Sequence, residues 1–314
     1  MADELYEALL TRVGKPLDSR GVVHAPDPVN AAMIRHWVDA MDDRNPAYGD
    51  GPEQVAPPAM LQTWTMGRPT IAGIRERGGA PGEVDPDSPL PVLAQAGFTG
   101  TLATNTVLRF DRYLRLGDVV SSDAVLTSVS EQKHTGLGKG YFVTWSNRYA
   151  DEAGKTVGTQ DFTVFKFAPG PPPEQAGPRA PRPAAPEPEG EELPPFDLEV
   201  TATVIVAGAL ATRDFMPVHH DRDYAQAQGA PDVFMNILTS NGYVSRYVTD
   251  WAGPDARLLQ ITTRLGGPAV PGSPIRFRGR AHAADAQGRV EVALRADNDL
   301  GSHLTATVLV QQPR

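Results

Sequence analysis

The chain contains no cysteine. That absence removes disulfide staples, a thiolate nucleophile and cysteine-ligated zinc together, and leaves any metal to His, Asp and Glu. Long apolar runs are missing too. None approaches the roughly eighteen residues that a membrane span needs, and the opening MADELYEALLTRVGKPLDSRG carries acids where a signal peptide would carry an apolar core. Basic charge is scarce: 29 Lys and Arg against 38 Asp and Glu give a formal charge of -9, with no basic face to track a phosphate backbone. No G-x-S-x-G elbow occurs, so an acyl-enzyme serine has no support. A soluble cytoplasmic protein that binds neither nucleic acid nor membrane is the expectation.

What the chain does have is length for two ordinary domains, 314 residues, and a sharp compositional boundary. Residues 169–195, PGPPPEQAGPRAPRPAAPEPEGEELPP, are crowded with Pro, Ala and Glu and cannot build a core. The expected organisation is a first domain over 1–168, a linker over 169–195 and a second domain over 196–314.

Each flank reads as a polar turn, a helix and then several strands. In the second, Val233, Phe234, Ile237, Leu238, Val244, Val248 and Trp251 fall largely at helical spacing, which predicts a long helix starting near Asp232. Four alternating runs follow, RLLQITTRL, SPIRFRGRAHA, RVEVALRAD and SHLTATVLVQ, separated by turn residues as antiparallel strands are. The first flank offers helical MIRHWVDAM and AMLQTWTM, then NTVLRFDRYLRL, SSDAVLTSVSEQ, GYFVTWSNRYAD and GTQDFTVFKFA. Strand-helix-strand alternation is absent, which argues against a parallel Rossmann-type sheet. The fold class is α+β, two antiparallel sheets each wrapped on a long helix.

The halves share a frame. Asp43, Pro46, Tyr48 and Asp50 stand at the same mutual spacing as Asp214, Pro217, His219 and Asp221, and an Ala-Pro pair follows each, Ala56-Pro57 and Ala230-Pro231. Two such matches in corresponding places suggest a duplication in which only the second copy kept a histidine. Asp and Pro are turn formers and Asp221 can cap a short helix ended by Gly229, so a polar turn is one reading. The other is a carboxylate and an imidazole converging on one water, which supply a proton acceptor and donor near neutral pH. Tyr48, with a reference pKa near ~10, is a poor shuttle, so one active and one degenerate half are expected.

The run DFMPVHHD, Asp214 to Asp221, resembles the hydratase motif of MaoC-type enoyl-CoA hydratases, which have the hot-dog fold. ALATRDFMPVHHDRDYAQAQG with DVFMNILTSNGYVSRYVTDWAGP is similar to the catalytic small subunit of the steroid side-chain branch of that family. APDPVNAAMIRHWVDAM, NPAYGD and APPAMLQTWTM are similar to the MaoC-like domain of its partner subunit. The chain looks like both fused, a double hot-dog, without the further C-terminal domain that the partner usually carries.

The resemblance implies that Asp214 and His219 hold the water added across a steroid 2-enoyl-CoA, giving a 3-hydroxyacyl-CoA that an aldolase then cleaves. Which of the two is base and which acid stays open. It implies no cofactor, coenzyme A being part of the substrate, and no metal. Charge building on the thioester oxygen needs donors, and the backbone at Asn236 and Ile237, where ordinary members have His-Gly, is the candidate. The degenerate half can give up its interior to a bulky acyl group, and Ala59 and Met60 are the expected substrate-binding residues. A homodimer is expected by analogy with paired heterodimers.

Weaker signals have plain readings. His220 points away from the site, GLGKG at 136–140 is a hairpin turn because a strand follows it, and Arg246, Arg264 and Arg276 are left outside the site. The alternatives kept open are a general (R)-specific 2-enoyl-CoA hydratase or dehydratase for other bulky acyl groups, a hot-dog thioesterase, and a non-catalytic acyl-CoA-binding scaffold for an aldolase.

Overall fold

A computed structural model describes residues 2–19, 21–80, 82, 84–169 and 190–313. Most of the expected linker, residues 170–189, lies outside the described residues. The first half runs α1 (Ala2–Leu10), β1 (Val23–His24), α2 (Ala31–Met41), a 3-10 turn (Pro46–Tyr48), a 3-10 helix (Pro58–Thr65), α3 (Pro89–Gln95), β2 (Gly100–Phe110), β3 (Ser121–Val129), β4 (Lys133–Thr135), β5 (Gly138–Ala150) and β6 (Thr156–Phe167). The second runs β7 (Glu191–Glu192), β8 (Phe196–Leu198), α4 (Ala202–Ala211), a 3-10 turn (Pro217–His219), α5 (Arg222–Ala227), α6 (Ile237–Ala252), β9 (Arg257–Leu265), β10 (Ile275–Ala281), β11 (Arg289–Asn298) and β12 (Gly301–Gln311).

The strands form antiparallel pairs in the order β1-β3-β5-β6-β2-β9-β12-β11-β10-β7. The two expected sheets are therefore joined edge to edge, through β2 and β9, with Asn105 opposite Arg264 and Arg109 opposite Gln260. Pairing the two inner edges removes two rows of unsatisfied backbone groups. The sheet takes up the chain before the compositional boundary at Pro195: Glu192 pairs with Arg280, and Leu193 is buried. The GLGKG segment is the hairpin turn expected, joining β4 to β5.

The helices differ between the halves. In the first, Pro57 and Pro58 open the segment and Gly67 and Pro69 close it, so the sequence read as helical AMLQTWTM forms only a short 3-10 helix. In the second, no Gly-Pro break comes before Gly253-Pro254, and α6 runs sixteen residues. It starts at Ile237 rather than near Asp232, because Asn236 is extended (φ -78°, ψ 164°) and caps it, while the amides of Phe234 and Met235 bond to the carbonyls of Val218 (3.3 Å) and Ala269 (3.0 Å).

The long helix serves both halves. A Cβ at Gly208 of α4 would lie 2.4 Å from Thr239 Oγ1, and one at Gly242 of α6 would lie 2.8 Å from Met41 Sδ of α2. Only glycine allows these approaches, so α2 and α4 flank one α6. Among the described residues no helix is long and apolar enough to cross a membrane.

Candidate active site

The site is built by a chain reversal after α4. Arg213 takes a left-handed conformation (φ 59°), which turns the chain so that the Asp214 amide donates back to the Ala209 carbonyl at 2.9 Å. Pro217 opens the 3-10 turn that carries His219, and Asp221 caps α5 by accepting from the Tyr224 amide at 3.0 Å. The first half repeats this backbone. Asp42 is also left-handed (φ 47°), the Asp43 amide donates to Val38 at 2.9 Å, and the 3-10 turn 46–48 ends on Tyr48. Asp42 and Arg213 are the only non-glycine residues with positive φ among the described residues. Two strained reversals at matching positions are the structural form of the repeated Asp-x-x-Pro frame.

His219 Nδ1 lies 2.6 Å from the Phe234 carbonyl. A carbonyl only accepts, so Nδ1 carries a proton and Nε2 is the working nitrogen. Nε2 sits 3.3 Å from Asp214 Oδ2, and both side chains are largely buried. Burial alone would push the Asp214 carboxyl up, but the facing imidazole and donors from the Met216 amide and Asn236 hold it below the usual carboxylate range. For His219 burial works downward, and the Asp214 charge together with its hydrogen bonds raises it. Both directions favour carboxylate and imidazolium, one acceptor beside one donor, and the pair titrates as a unit.

Asn236 takes part through its side chain. Its Nδ2 donates to Asp214 Oδ2 (3.1 Å) and Thr212 Oγ1 (2.8 Å), while its Oδ1 caps α6 by accepting from the Thr239 amide at 2.7 Å. The capping residue is therefore also the carboxylate's partner. This side-chain role lies beyond the backbone donor expected at Asn236, although an Asn directly before a helical run is a recognisable cap signal. None of the hydrogen bonds among the described residues uses the Ile237 amide, so it stays a first-turn donor beside the Asp214 turn, aided by the helix dipole.

The first-half turn has the opposite electrostatics. Burial raises the Asp43 carboxyl, as do the neighbouring Asp250 and Asp42, against the Asn45 amide and Arg246 that lower it. Burial drives Tyr48 well above its ordinary value, and Tyr113 and Asp43 push the same way. Tyrosine cannot become a cation, so the Asn45 amide and Arg246 alone favour the ionised carboxylate, and burial with the neighbouring acids outweighs them.

A cavity of about 160 Å³ opens beside Asp214, lined by Ile71 and Ile74 from the first half and by α4, Phe215 and His220 from the second. His220 is exposed, and its Nε2 lies 3.2 Å from the Phe215 carbonyl at the cavity mouth. Ala59 and Met60 are not among the lining residues. They are fully packed in the 3-10 helix, within the core that also holds Trp37 and Met41. The physical reason is that the short 3-10 helix tucks its apolar face under α6, and it is the chain beyond Gly67 that reaches the site. Arg246 is engaged by Asp42, Asp250 and the Met41 carbonyl, and Arg276 pairs with Asp197. No group of three or more His, Asp or Glu is placed to hold a metal among the described residues.

Comparison with known proteins bears on this geometry. Residues 21–160 match the model of the FAS1-like dehydratase domain region. The chain is 50% identical over 119 residues to the 3-oxo-4,17-pregnadiene-20-carboxyl-CoA hydratase beta subunit of Mycobacterium tuberculosis, which covers 38% of this chain and 92% of that protein. It is 38% identical over 182 residues to a probable enoyl-CoA hydratase alpha subunit of Thermomonospora curvata, covering 54% of each. The chain thus spans nearly the whole beta subunit and about half the length of the alpha subunit, and looks like a fusion of the two. Among solved structures, a MaoC-like dehydratase superposes with a TM-score of 0.70 at 20% identity, covering 97% of this chain and 100% of that one, and the fold is the double hot-dog. With 50% identity over 92% of a hydratase subunit, the chain belongs to the MaoC-like family of enoyl-CoA hydratases.

Proposed function

We propose that the chain adds water across the side-chain double bond of a steroid 2-enoyl-CoA to give the 3-hydroxyacyl-CoA, with Asp214 and His219 as its catalytic residues. The observation that carries this reading is the buried pair itself, an imidazole fixed by the Phe234 carbonyl with Nε2 at 3.3 Å from Asp214. The steroid part rests on the relative named as a pregnadiene carboxyl-CoA hydratase and on the apolar cavity beside Asp214.

In the proposed step, Asp214 accepts one proton of a water whose oxygen attacks C3. The displaced electron pair moves to the thioester oxygen, which the Ile237 amide at the head of α6 meets. His219 Nε2 then gives its proton to C2, so one C–O and one C–H bond form and the elements of one water are added. The proton left on Asp214 returns to His219 across the short gap between them. Every group in this cycle is a side chain or backbone amide of the chain, and no cofactor is required. Asn236 enters as the partner that keeps Asp214 ionised.

The domain limits of 1–168 and 196–314 are retained as the degenerate and catalytic halves, with β7 added to the latter, and the cytoplasmic location is kept from the sequence analysis. A homodimer and an aldolase that consumes the product are part of the same reading. Light scattering giving a strict monomer would remove the first, and absence of co-purification with a candidate aldolase the second.

Mass spectrometry of the protein with a panel of 2-enoyl-CoA thioesters, from crotonyl to the steroid side-chain substrate, tests the function. The expected result is a gain of one water on the steroid thioester, abolished in Asp214→Asn. Hydration of short chains alone would discard the steroid assignment, and no hydration of any thioester would leave a binding scaffold.

A further inference from the structure

Between the 3-10 helix and α3 the first half sends out a strap, residues 67–80, that crosses onto the second half. It is a built unit. Arg77 sits at its hub and donates to the carbonyls of Thr70, Ala72 (2.8 Å) and Ala80 (3.3 Å), while the Gly79 amide closes back on Ile74 at 2.8 Å.

The strap is fastened to the catalytic turn at three places. Arg213 donates to the Gly67 carbonyl at 3.4 Å. Arg75 pairs with Asp221, the cap of α5, at 3.0 Å, and its guanidinium lies 5.6 Å from the Tyr224 ring centre. Gly79, at φ +87°, lies so close that a Cβ would stand 3.1 Å from Pro217 Cδ and 3.2 Å from Met216. Exposed ion pairs contribute little to folding, so the number and placing of these ties suit positioning better than stability.

What the fastening achieves is the presentation of Ile71 and Ile74 opposite α4, with the Asp214 cavity between. Helix α4, ATVIVAGALA, carries no charge on any face, whereas its counterpart α2, AAMIRHWVDAM, carries Arg35, His36 and Asp39. Leu210 is 54% exposed and Ile71 60% exposed, and both line the cavity. About 160 Å³ is small beside the roughly 300–1,000 Å³ of sites for drug-sized ligands, so a tetracyclic group would fill the cavity and continue over this apolar rim. Large exposed apolar residues clustered at a catalytic mouth are otherwise a liability.

We infer that the strap is the specificity wall of the site, and that Ile71 and Ile74 select a bulky apolar acyl group by holding it against Val206 and Leu210 of α4. This rests on the proposed function for the substrate class. The test therefore reads binding rather than turnover. Titration with the saturated steroid side-chain acyl-CoA and with butyryl-CoA compares wild type, Ile71→Ser, Ile74→Ser and Arg75→Gln. Ile71 is exposed, so its variant folds even if the Ile74 variant does not.

Each isoleucine variant is expected to weaken the steroid thioester about tenfold and leave butyryl-CoA within about twofold, as loss of one apolar contact to the acyl group predicts. Arg75→Gln is expected to weaken it about threefold, with Arg75→Lys restoring most of the loss through the retained charge. Equal weakening of both thioesters, no change with either, or a wild type that binds the two alike would overturn the wall. A wild type that binds the steroid thioester selectively yet never hydrates it would overturn the hydratase reading and leave the wall standing.

Discussion

The turns at Asp43 and Asp214 have one backbone and two chemistries. Both follow a helix, both reverse through a left-handed non-glycine residue, and both present an acid and an aromatic side chain five residues later in the chain. In one the second side chain is an imidazole and the acid is held below its usual range; in the other it is a phenol and the acid is raised. The scaffold alone does not hold a buried carboxylate ionised. What does is a neighbour able to take a positive charge, plus a donor such as Asn236 delivered by a third segment.

The comparison breaks most severely if the second turn is made like the first. His219→Tyr removes the proton donor and leaves Asp214 buried opposite a neutral ring, and Asp214→Asn removes the acceptor. Either is expected to lower kcat about a thousandfold, as loss of a general acid or base does, with KM changed far less. Stopped-flow hydration assays check this. A variant retaining a tenth of the wild-type rate would show that the pair is not the reacting centre.

Asn236→Ala is the next largest. A hydrogen bond to a charged group is worth about 1.5–3 kcal/mol, so kcat is expected to fall about ten- to a hundredfold. The effect should carry a pH signature that plain loosening of α6 would not. With one donor gone, the Asp214 carboxyl rises toward its ordinary value and the acid limb of the kcat profile moves to higher pH. Asn236→Ser, which keeps the cap but cannot reach both partners, should restore stability without restoring the limb.

The wild-type profile follows from the same directions. The proposed step needs Asp214 ionised and His219 protonated. Because Asp214 is lowered from 3.8 and His219 raised from 6.5, the plateau covers the interval between them, and activity falls as pH rises through the raised imidazole value. Stability follows suit. The Asp214 contribution is present above its unfolded value and lost as pH falls through the lowered one, and the His219 contribution is complete below 6.5 and lost as pH rises through its folded value. A profile that instead climbed steadily from pH 6 to pH 9 would mean that neutral His219 is the active form.

Much of this was legible in the sequence, for physical reasons. The run RLLQITTRL, bounded by turn residues and rich in Leu, Ile and Thr, marks β9 to the residue. The Asp-x-x-Pro-x-His spacing is a local property of one turn and needs no tertiary knowledge. The start of α6 is not legible from spacing, because Val233 and Met235 are buried like helical residues, while the amides of Phe234 and Met235 bond to Val218 and Ala269, distant segments that periodicity cannot see. The strap was missed for the same reason. Ile71 and Ile74 lie in a Gly- and Arg-rich stretch with no period, and their closeness to Asp214 exists only because Arg75 and Gly79 meet residues well over a hundred positions away. Joining of β2 to β9 is likewise an edge property with no mark in either strand.

The smallest expected effect is also the sharpest form of the comparison. Asp43→Asn is the same substitution as Asp214→Asn, at the matching position, and should leave kcat and KM unchanged. Its effect on stability should be opposite in sign. Asp43 is raised above 3.8 by burial and by nearby acids, so folding prefers its protonated form, and the stability it contributes at low pH is lost as pH rises through its folded value. An amide never ionises, and its oxygen still accepts the Asn45 amide that Asp43 Oδ1 accepts at 3.0 Å. Asp43→Asn should therefore equal wild type at acid pH and exceed it at neutral pH by no more than about 1 kcal/mol, whereas Asp214→Asn loses a stabilising ion pair over the same range. Urea melts of both variants across pH decide the matter. If Asp43→Asn proved destabilised at neutral pH, the first turn would hold a working carboxylate after all, with Arg246 as its cation, and the two halves would differ in partner rather than in charge.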